Sequence, residues 1–417
     1  MARQMKDSGI EWIGEIAEDH PLIKLKHVCQ ILDQYRSPVT ADQRSQAGEV
    51  LYDYYGASGA IDKIDGYTID DHVMLIGEDG ANLRLRNLPL MYEVNGKAWI
   101  NNHAHILKPN DGTDFYYLFY ALEALDINPY ITGSAQPKLS QENLKNILIP
   151  MPSLAVQRRI AVVIREKSAK IDAVIERTKA TIEEYKKLKQ AVITEAVTKG
   201  VRGARKMKDS GIEWIGEIPE EWEIVKMKHL GKCRNGLTYS PENVCGDEGT
   251  LVLRSSNIQD GKLCFGDNVY VDCQVKDELM VKKGDILICS RNGSRALIGK
   301  NALIPDDIDA SFGAFMMIFR CECPEYVHLV LNSAVFSYYL GTFLTATINQ
   351  LTADNFNNMQ IVYCPDEAEQ REIIEFLKTR CASIDALIAK KTALLTELET
   401  YKKSLIYEYV TGKKEVL

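Results

Sequence analysis

MKDSGIEWIGEI runs from Met5 to Ile16, and the same residues run again from Met207 to Ile218. An unbroken identity of this length inside one chain of 417 residues marks a duplicated unit. The likeness continues more weakly past the motif. Lys24, Lys26 and His27 return as Lys226, Lys228 and His229, at an offset of 202. Further along, Gln157-Arg158 returns as Gln370-Arg371, and Ile171-Asp172-Ala173 as Ile384-Asp385-Ala386. Glu195 returns as Glu408 and Val197-Thr198 as Val410-Thr411, all at an offset of 213. The chain therefore reads as two copies of one plan: a short opening motif, a body, then a long helical segment. The bodies, 29–150 and 233–363, share no long run of identities. A kept frame with divergent contents points to two bodies that do separate jobs on one scaffold.

Residues 157–198 contain neither Gly nor Pro, which permits one long helix. Pro150 and Pro152 stand before it, and Gly200 and Gly203 after it. Heptad spacing links Ile164, Ile171, Thr178, Tyr185 and Val192, with Lys167, Val174, Thr181, Leu188 and Glu195 as companion series. In the second copy the series are Leu377, Ile384, Lys391, Leu398, Leu405 and Arg380, Leu387, Leu394, Tyr401, Glu408. Ile175, Ile182, Ile388 and Leu395 widen the two stripes. Neither helix can bury its stripe alone, so the expected solution is an antiparallel intrachain coiled coil related by a pseudo-two-fold, with pairing between two chains as the alternative. A rod of about 40 residues would be roughly 60 Å long.

The net charge of −8 argues at first against nucleic acid as a partner. The charge is unevenly placed, however. Residues 157–206 carry 14 Lys and Arg against 6 Asp and Glu, so an acidic total hides a basic segment. No apolar run of about 18 residues is present, which excludes a membrane helix. The first residues lack the apolar stretch of a secretory signal. Ten cysteines at irregular spacings, with no CxxC pair, fit a reducing compartment, and the expected location is cytoplasmic.

Each body mixes short β-rich runs with Gly and Asn turns, which predicts a compact α/β domain with a curved sheet. Several stretches concentrate small and polar residues in expected loops. Tyr54, Tyr55 and Ser58 lie in YYGASG, and Asn101, Asn102, His103 and His105 follow a strand. Arg254, Ser256 and Asn257 lie in RSSN, and Arg291, Asn292, Ser294 and Arg295 in RNGSR, with Lys300 beyond. Arg, Asn and Ser are side chains that read base edges by hydrogen bonds, while Lys300 could meet phosphate. Arg291 and Arg295 are the foremost candidates for a bidentate contact with guanine. Asn-Gly and Ser-Gly are also ordinary turn dipeptides.

Catalytic constellations are missing. His103-Ala104-His105 has no third ligand at metal spacing, and Cys321-Glu322-Cys323 reads as a strand end. GSRALIGK at 293–300 is one residue too long for a phosphate loop, and Asn301 stands where Ser or Thr is needed. Asn128-Pro129-Tyr130 lacks the second proline of an amino-methyltransferase base clamp, and Pro305-Asp306 has no Glu-x-Lys at nuclease spacing. No Gly-x-Ser-x-Gly elbow occurs. A recognition or scaffold subunit is expected, not an enzyme.

The duplicated opening motif resembles that of type I restriction–modification specificity subunits. So do Ile149-Pro150-Met151-Pro152 leading to Gln157-Arg158-Arg159-Ile160, the IDAxI segments, KQAVITEAVTKG at 189–200 and its weaker copy KKSLIYEYVTG at 402–412. Val156 departs from the family's usual Glu, Ala17 and His20 from Pro219 and Trp222, and Pro365-Asp366-Glu367 from the usual apolar preamble. The resemblance covers essentially the whole chain. It implies an opening motif with a first target recognition domain at 1–152 and a first spacer helix at 153–206. A second opening motif and domain would occupy 207–364, and a second spacer helix 365–417. It implies that each domain reads one half of a bipartite, asymmetric site on double-stranded DNA, while the antiparallel helices set the gap. It also implies two modification subunits that use S-adenosylmethionine to methylate adenine at N6, and restriction subunits that hydrolyse ATP with Mg. No cofactor is then expected in this chain. The rival expectation is a coiled-coil scaffold that presents two different binding heads and never meets DNA.

Overall fold

The computed structural model describes residues 4–11, 13–44, 50–344 and 349–416. Trp12 of the opening motif lies outside the described residues. The chain divides into two compact units, Met1–Lys179 with Ala393–Leu417, and Ala180–Thr392. Two long helices, Leu154–Lys199 of 46 residues and Glu367–Val410 of 44, contribute one end to each unit. At 1.5 Å per residue they are about 69 and 66 Å long. No helix among the described residues is long and apolar enough to cross a membrane.

The repeated residues have local causes. Gln157 and Gln370 are buried at the helix starts. Gln157 Nε2 donates to the Pro152 carbonyl at 2.8 Å, and its Oε1 accepts from Asp114 N at 2.9 Å. Gln370 Nε2 donates to the Cys364 carbonyl at 2.7 Å. Each Gln thus ties the first turn to the chain that enters it. After the first helix, Gly200 takes φ +79°, a left-handed stop that residues with a Cβ adopt at a cost. The Ile-Asp-Ala repeat supplies an ion pair in each unit. Lys402 Nζ reaches both oxygens of Asp172 at 2.7 Å. Lys189 Nζ reaches those of Asp385 at 2.7 and 2.8 Å. Lys189 and Lys402 are separated by the same 213 residues as the aspartates, so one contact is made twice. In the second unit the helix segments run antiparallel. Arg202, thirteen residues beyond Lys189, meets Glu372, thirteen residues before Asp385, at 2.8 Å.

The heptad reading is corrected in one respect. Ile164, Ile171, Ile175, Thr178 and Ile182 are buried, but Val174 and Leu188 of the companion series are about half exposed. Their counterparts in the second helix, Leu387 and Tyr401, are exposed too. The buried stripe is thus narrower than the apolar pattern suggests.

The opening motif is a hairpin in both copies. Met5–Asp7 pairs with Glu15–Ala17, and Met207–Asp209 with Glu217–Pro219, in the same register. Asp7 Oδ1 accepts from Gly9 N at 2.9 Å and Ser8 Oγ from Ile10 N at 3.2 Å. Asp209 and Ser210 repeat both bonds, at 2.9 and 3.1 Å. The DSG triplet is therefore turn chemistry.

The first body carries a six-stranded sheet in the order Cys29–Ile31, Ala104–Pro109, Ile69–Gly77, Met91–Ile100, Leu51–Gly56, Gly59–Asp65. All neighbours are antiparallel except Leu51–Gly56 beside Met91–Ile100. The run VMLI at 73–76 is buried on both faces. Met74 and Ile76 join a core with Leu118 and Leu122 of helix Phe115–Ala124, while Val73 and Leu75 pack with Val94, Ala98 and Ile106. That explains why its hydrophobicity is continuous instead of alternating. The second body repeats the first four positions with Gly231–Asn235, Met316–Cys321, Ile286–Cys289 and Asn301–Leu303, again antiparallel. Its strand Thr250–Leu253 runs parallel to Ala310–Phe312 in a separate four-stranded sheet. The bodies therefore share a scaffold that their side chains conceal. One expected loop is corrected: Tyr54 and Tyr55 lie within the strand Leu51–Gly56, and only Ala57 and Ser58 form the turn.

Candidate nucleic-acid interface

Backbone hydrogen bonds gather the same loops in both bodies. In the first, Glu78 N donates to the His103 carbonyl at 2.8 Å, and Leu139 N to the Glu78 carbonyl at 2.8 Å. Asn101 N donates to the Tyr55 carbonyl at 3.0 Å. In the second, Ser290 N donates to the Phe315 carbonyl at 3.0 Å, Leu351 N to the Ser290 carbonyl at 2.8 Å, and Gly313 N to the Leu253 carbonyl at 2.9 Å. Four segments thus meet at one end of each body: 56–59, 78–82, 101–103 and 132–138 in the first, and 254–257, 290–295, 313–315 and 349–350 in the second.

The expected contact residues divide into two groups. In the first body Ser58, Asn102 and His103 are exposed. His103 Nδ1 lies 2.8 Å from Asp79 Oδ2. The Asn102 carbonyl accepts from Arg36 Nη1 at 3.3 Å. Tyr55 is half-buried, and burial together with the Asp53 carboxylate raises its phenol above the ordinary value. Tyr54, Asn101 and His105 are buried. The Arg44 guanidinium lies 4.9 Å from the Tyr54 ring centre. Asn101 Oδ1 accepts from His103 N at 2.8 Å and so shapes its own turn. His105 is 1% exposed, with Nδ1 2.7 Å from Asp33 Oδ2 and Nε2 2.8 Å from the Leu139 carbonyl. Both ring nitrogens are occupied inside the fold, so the expectation that His105 or Asn101 touches DNA gives way to a role in holding the loops.

Beneath these loops lies a network of partly buried charge. Arg36 pairs with Glu78 and lies 3.4 Å from Asp33, and Lys138 reaches Glu78 at 3.0 Å. Burial alone would raise the Asp33 carboxyl. Hydrogen bonds from His105, Ile106 and Gln141 outweigh it and hold the group below the usual carboxylate range. Glu78 behaves likewise: burial raises it, and the hydrogen bonds from Arg36 and Lys138 lower it further than that.

In the second body Arg291, Ser294 and Arg295 are exposed, and Asn292 and Lys300 are half-buried. The Arg291 guanidinium lies 5.3 Å from the centre of the Phe315 ring. Asn292 Nδ2 donates to Ser255 Oγ at 3.2 Å, which joins the two expected loops of this body. Arg295 Nη2 donates to the Leu344 carbonyl at 2.9 Å, and Arg254 Nη2 to Asp267 Oδ2 at 2.9 Å. Ser256 is half-buried. Asn257 is fully buried and bonds to the Arg254 amide and the Cys264 carbonyl, so it too is scaffold and not contact.

Asp79, Lys138, Phe315 and Gln350 belong to these ends and escaped sequence reasoning. A signal for them existed. Gly77 and Ser140 correspond to Cys289 and Thr352 at an offset of 212, although the register shifts between them, Ile76 pairing with Met91 but Ile288 with Asn301. Leu139-Ser140-x-x-Asn143-Leu144 matches Leu351-Thr352-x-x-Asn355-Phe356, because Ser140 and Thr352 both cap short helices, accepting from Asn143 N and Asn355 N.

Residues 18–184 and 219–397 match the family described as type I restriction modification DNA specificity domain. The chain is similar to the type I restriction enzyme MjaVIII specificity subunit of Methanocaldococcus jannaschii, 28% identical over 316 residues, covering 73% of this chain and 71% of that one. It is also similar to the putative type I restriction enzyme MjaX specificity subunit of the same organism, 28% identical over 455 residues, covering 97% and 96%. Among solved structures, a chain from a study of complex assembly and conformational transition of the type I R-M system has the same fold. Its TM-score is 0.66 at 16% identity, with coverage of 95% of this chain and 98% of that one.

Proposed function

We infer, from the premise that this chain belongs to the type I restriction–modification DNA specificity family, that its two bodies read the two halves of one split, asymmetric DNA sequence. Its role is sequence specificity within a restriction–modification complex, and the covalent chemistry belongs to other subunits. The observation that carries the two-reader view is the pair of loop ends, alike in backbone and unlike in side chains. Ser58, Asn102 and His103 face the first half-site, and Arg291, Ser294 and Arg295 the second. Tyr54, Asn101, His105 and Asn257 keep those loops in shape from within, so little ordering remains to be done on binding. The long helices hold two modification subunits, which bring S-adenosylmethionine to a flipped adenine. Restriction subunits bring ATP and Mg, and the chain itself binds no cofactor. The complex works on double-stranded DNA in the cytoplasm.

Salt dependence tests the assignment against a scaffold that never meets DNA. Affinity of the assembled complex for a duplex carrying its site should fall roughly a thousandfold or more between 50 and 200 mM salt, if about six phosphates are neutralised. A complex that retains no duplex at low salt, or whose affinity is flat across that range, contradicts the DNA-reading role.

A further inference from the structure

Equivalent positions in the two bodies hold side-chain groups of opposite chemistry. Asp79 and Arg291 each follow the residue whose backbone ties the other two loops in place. Each forms an isolated bridge to the last loop, Asp79 to Lys138 and Arg291 to Gln350. Each has its side chain set by the third loop. Asp79 Oδ2 lies 2.8 Å from His103 Nδ1, and the Arg291 guanidinium lies 5.3 Å from the Phe315 ring centre. His103, Lys138, Arg291, Phe315 and Gln350 are exposed, with Phe315 at 59%, and Asp79 is partly so. Phe315 is, after Leu85 at 64%, the most exposed large apolar side chain among the described residues, and it stands beside the Arg291 guanidinium.

We propose that Asp79, His103 and Lys138 in the first body, and Arg291, Phe315 and Gln350 in the second, are corresponding base-reading positions, of opposite polarity at Asp79 and Arg291. The assignment rests on the DNA-reading role inferred above and adds which residues discriminate and what they select. A carboxylate is repelled by phosphate, so Asp79 can approach DNA only where a base offers an amino donor, cytosine N4 or adenine N6. Arg291, with its plane steadied by Phe315, offers a fork that matches guanine O6 and N7. Gln350 beside it suits an adjacent adenine. The half-sites then differ at this position because one body accepts hydrogen bonds where the other donates them. The recognised sequence is asymmetric for a reason visible in the fold.

The test is selection from a random duplex pool by the full chain assembled with its modification subunits. Arg291→Ala should weaken binding roughly ten- to a hundredfold and relax one base pair of the second half-site, leaving the first unchanged. Arg291→Lys keeps the charge, loses the fork, and should relax the same base pair. Asp79→Asn should relax one base pair of the first half-site. The combined change Asp79→Arg, His103→Phe and Lys138→Gln should shift that base pair toward the second body's preference. Arg291 variants that weaken all sequences equally would make it a phosphate contact and overturn the assignment. So would single variants that leave the selected sequence intact. A parent complex that selects no sequence at all would instead remove the DNA-reading role itself.

Discussion

Replacing Trp222 by Ala should destabilise the second unit by about 3–5 kcal/mol, the range for a fully buried large ring cut back to a methyl. Trp222 is 0% exposed and packs with Ile193, Val197, Ile218 and Ile373, which joins the opening motif to the ends of both long helices within that unit. Its Nε1 donates to Glu369 Oε2 at 3.2 Å, and the Arg205 guanidinium lies 5.1 Å from its ring centre. Truncation opens a cavity and removes the indole donor from a buried carboxylate that keeps its Arg205 pair at 2.7 Å. In the first copy His20 stands at the corresponding position, also 0% exposed, with Nδ1 3.3 Å from the Val410 carbonyl. Val156 stands where the second copy has Glu369. The second copy thus places a carboxylate, also paired with Arg205 at 2.7 Å, beside an indole N–H, where the first copy has an apolar side chain and an imidazole. His20→Ala should therefore cost only about 1–2 kcal/mol. Denaturant unfolding of the full chain, followed by Trp fluorescence and circular dichroism, measures both. Equal losses for the two variants would contradict this reading of the pair.

Arg36→Ala should cost the first unit about 2–4 kcal/mol at neutral pH. Removing one member of a buried ion pair costs about 3–5 kcal/mol, and Arg36 retains 19% side-chain exposure, so the figure is discounted. The pH dependence gives the mechanism. Asp33 and Glu78 are held below their ordinary values in the folded chain. A depressed carboxyl contributes stability that is complete above its unfolded value, about 4. That stability is lost as pH falls through the folded value. Without Arg36 the depression of Glu78 weakens. The gap between parent and variant should be full at pH 7 and shrink below about pH 4. A gap that stays constant with pH would mean that Arg36 acts by packing alone. The loops above it, Glu78 to Asn82 and Asn101 to His103, should loosen, so sequence preference should suffer in the first half-site only.

The frame was legible in the sequence because its causes are local. Asp7 and Ser8 close the turn of the opening hairpin within a few residues, Gly200 stops a helix by its own φ, and Gln157 clamps the segment just before it. The paired helices could be inferred because neither apolar stripe can be buried alone. Which heptad series faces inward was not legible. Val174 and Leu188 are as apolar as the buried residues, and only the partner's position leaves them out. The candidate interface was half legible. Loops rich in Asn, Ser and Arg announced themselves by composition, but His103 and His105 differ in sequence by two places and in exposure by half a side chain. His103 stands in the turn before the strand Ala104–Pro109, whereas His105 lies inside that strand and is held inward by an aspartate 72 residues away. Asp79 and Phe315 carried no compositional mark. Their equivalence with Arg291 and His103 rests on hydrogen bonds between segments far apart in the chain.

The central claim is that the two bodies are independent readers of two different half-sites. It is tested most directly by mapping N6-methyladenine in cells that carry the complete complex, with the native chain and with residues 233–363 exchanged for the body of a relative. The account predicts one split, asymmetric motif with the native chain. After the exchange it predicts a motif with the first half and the gap unchanged and the second half new. A motif altered in both halves, or one that keeps both halves after the exchange, would contradict it.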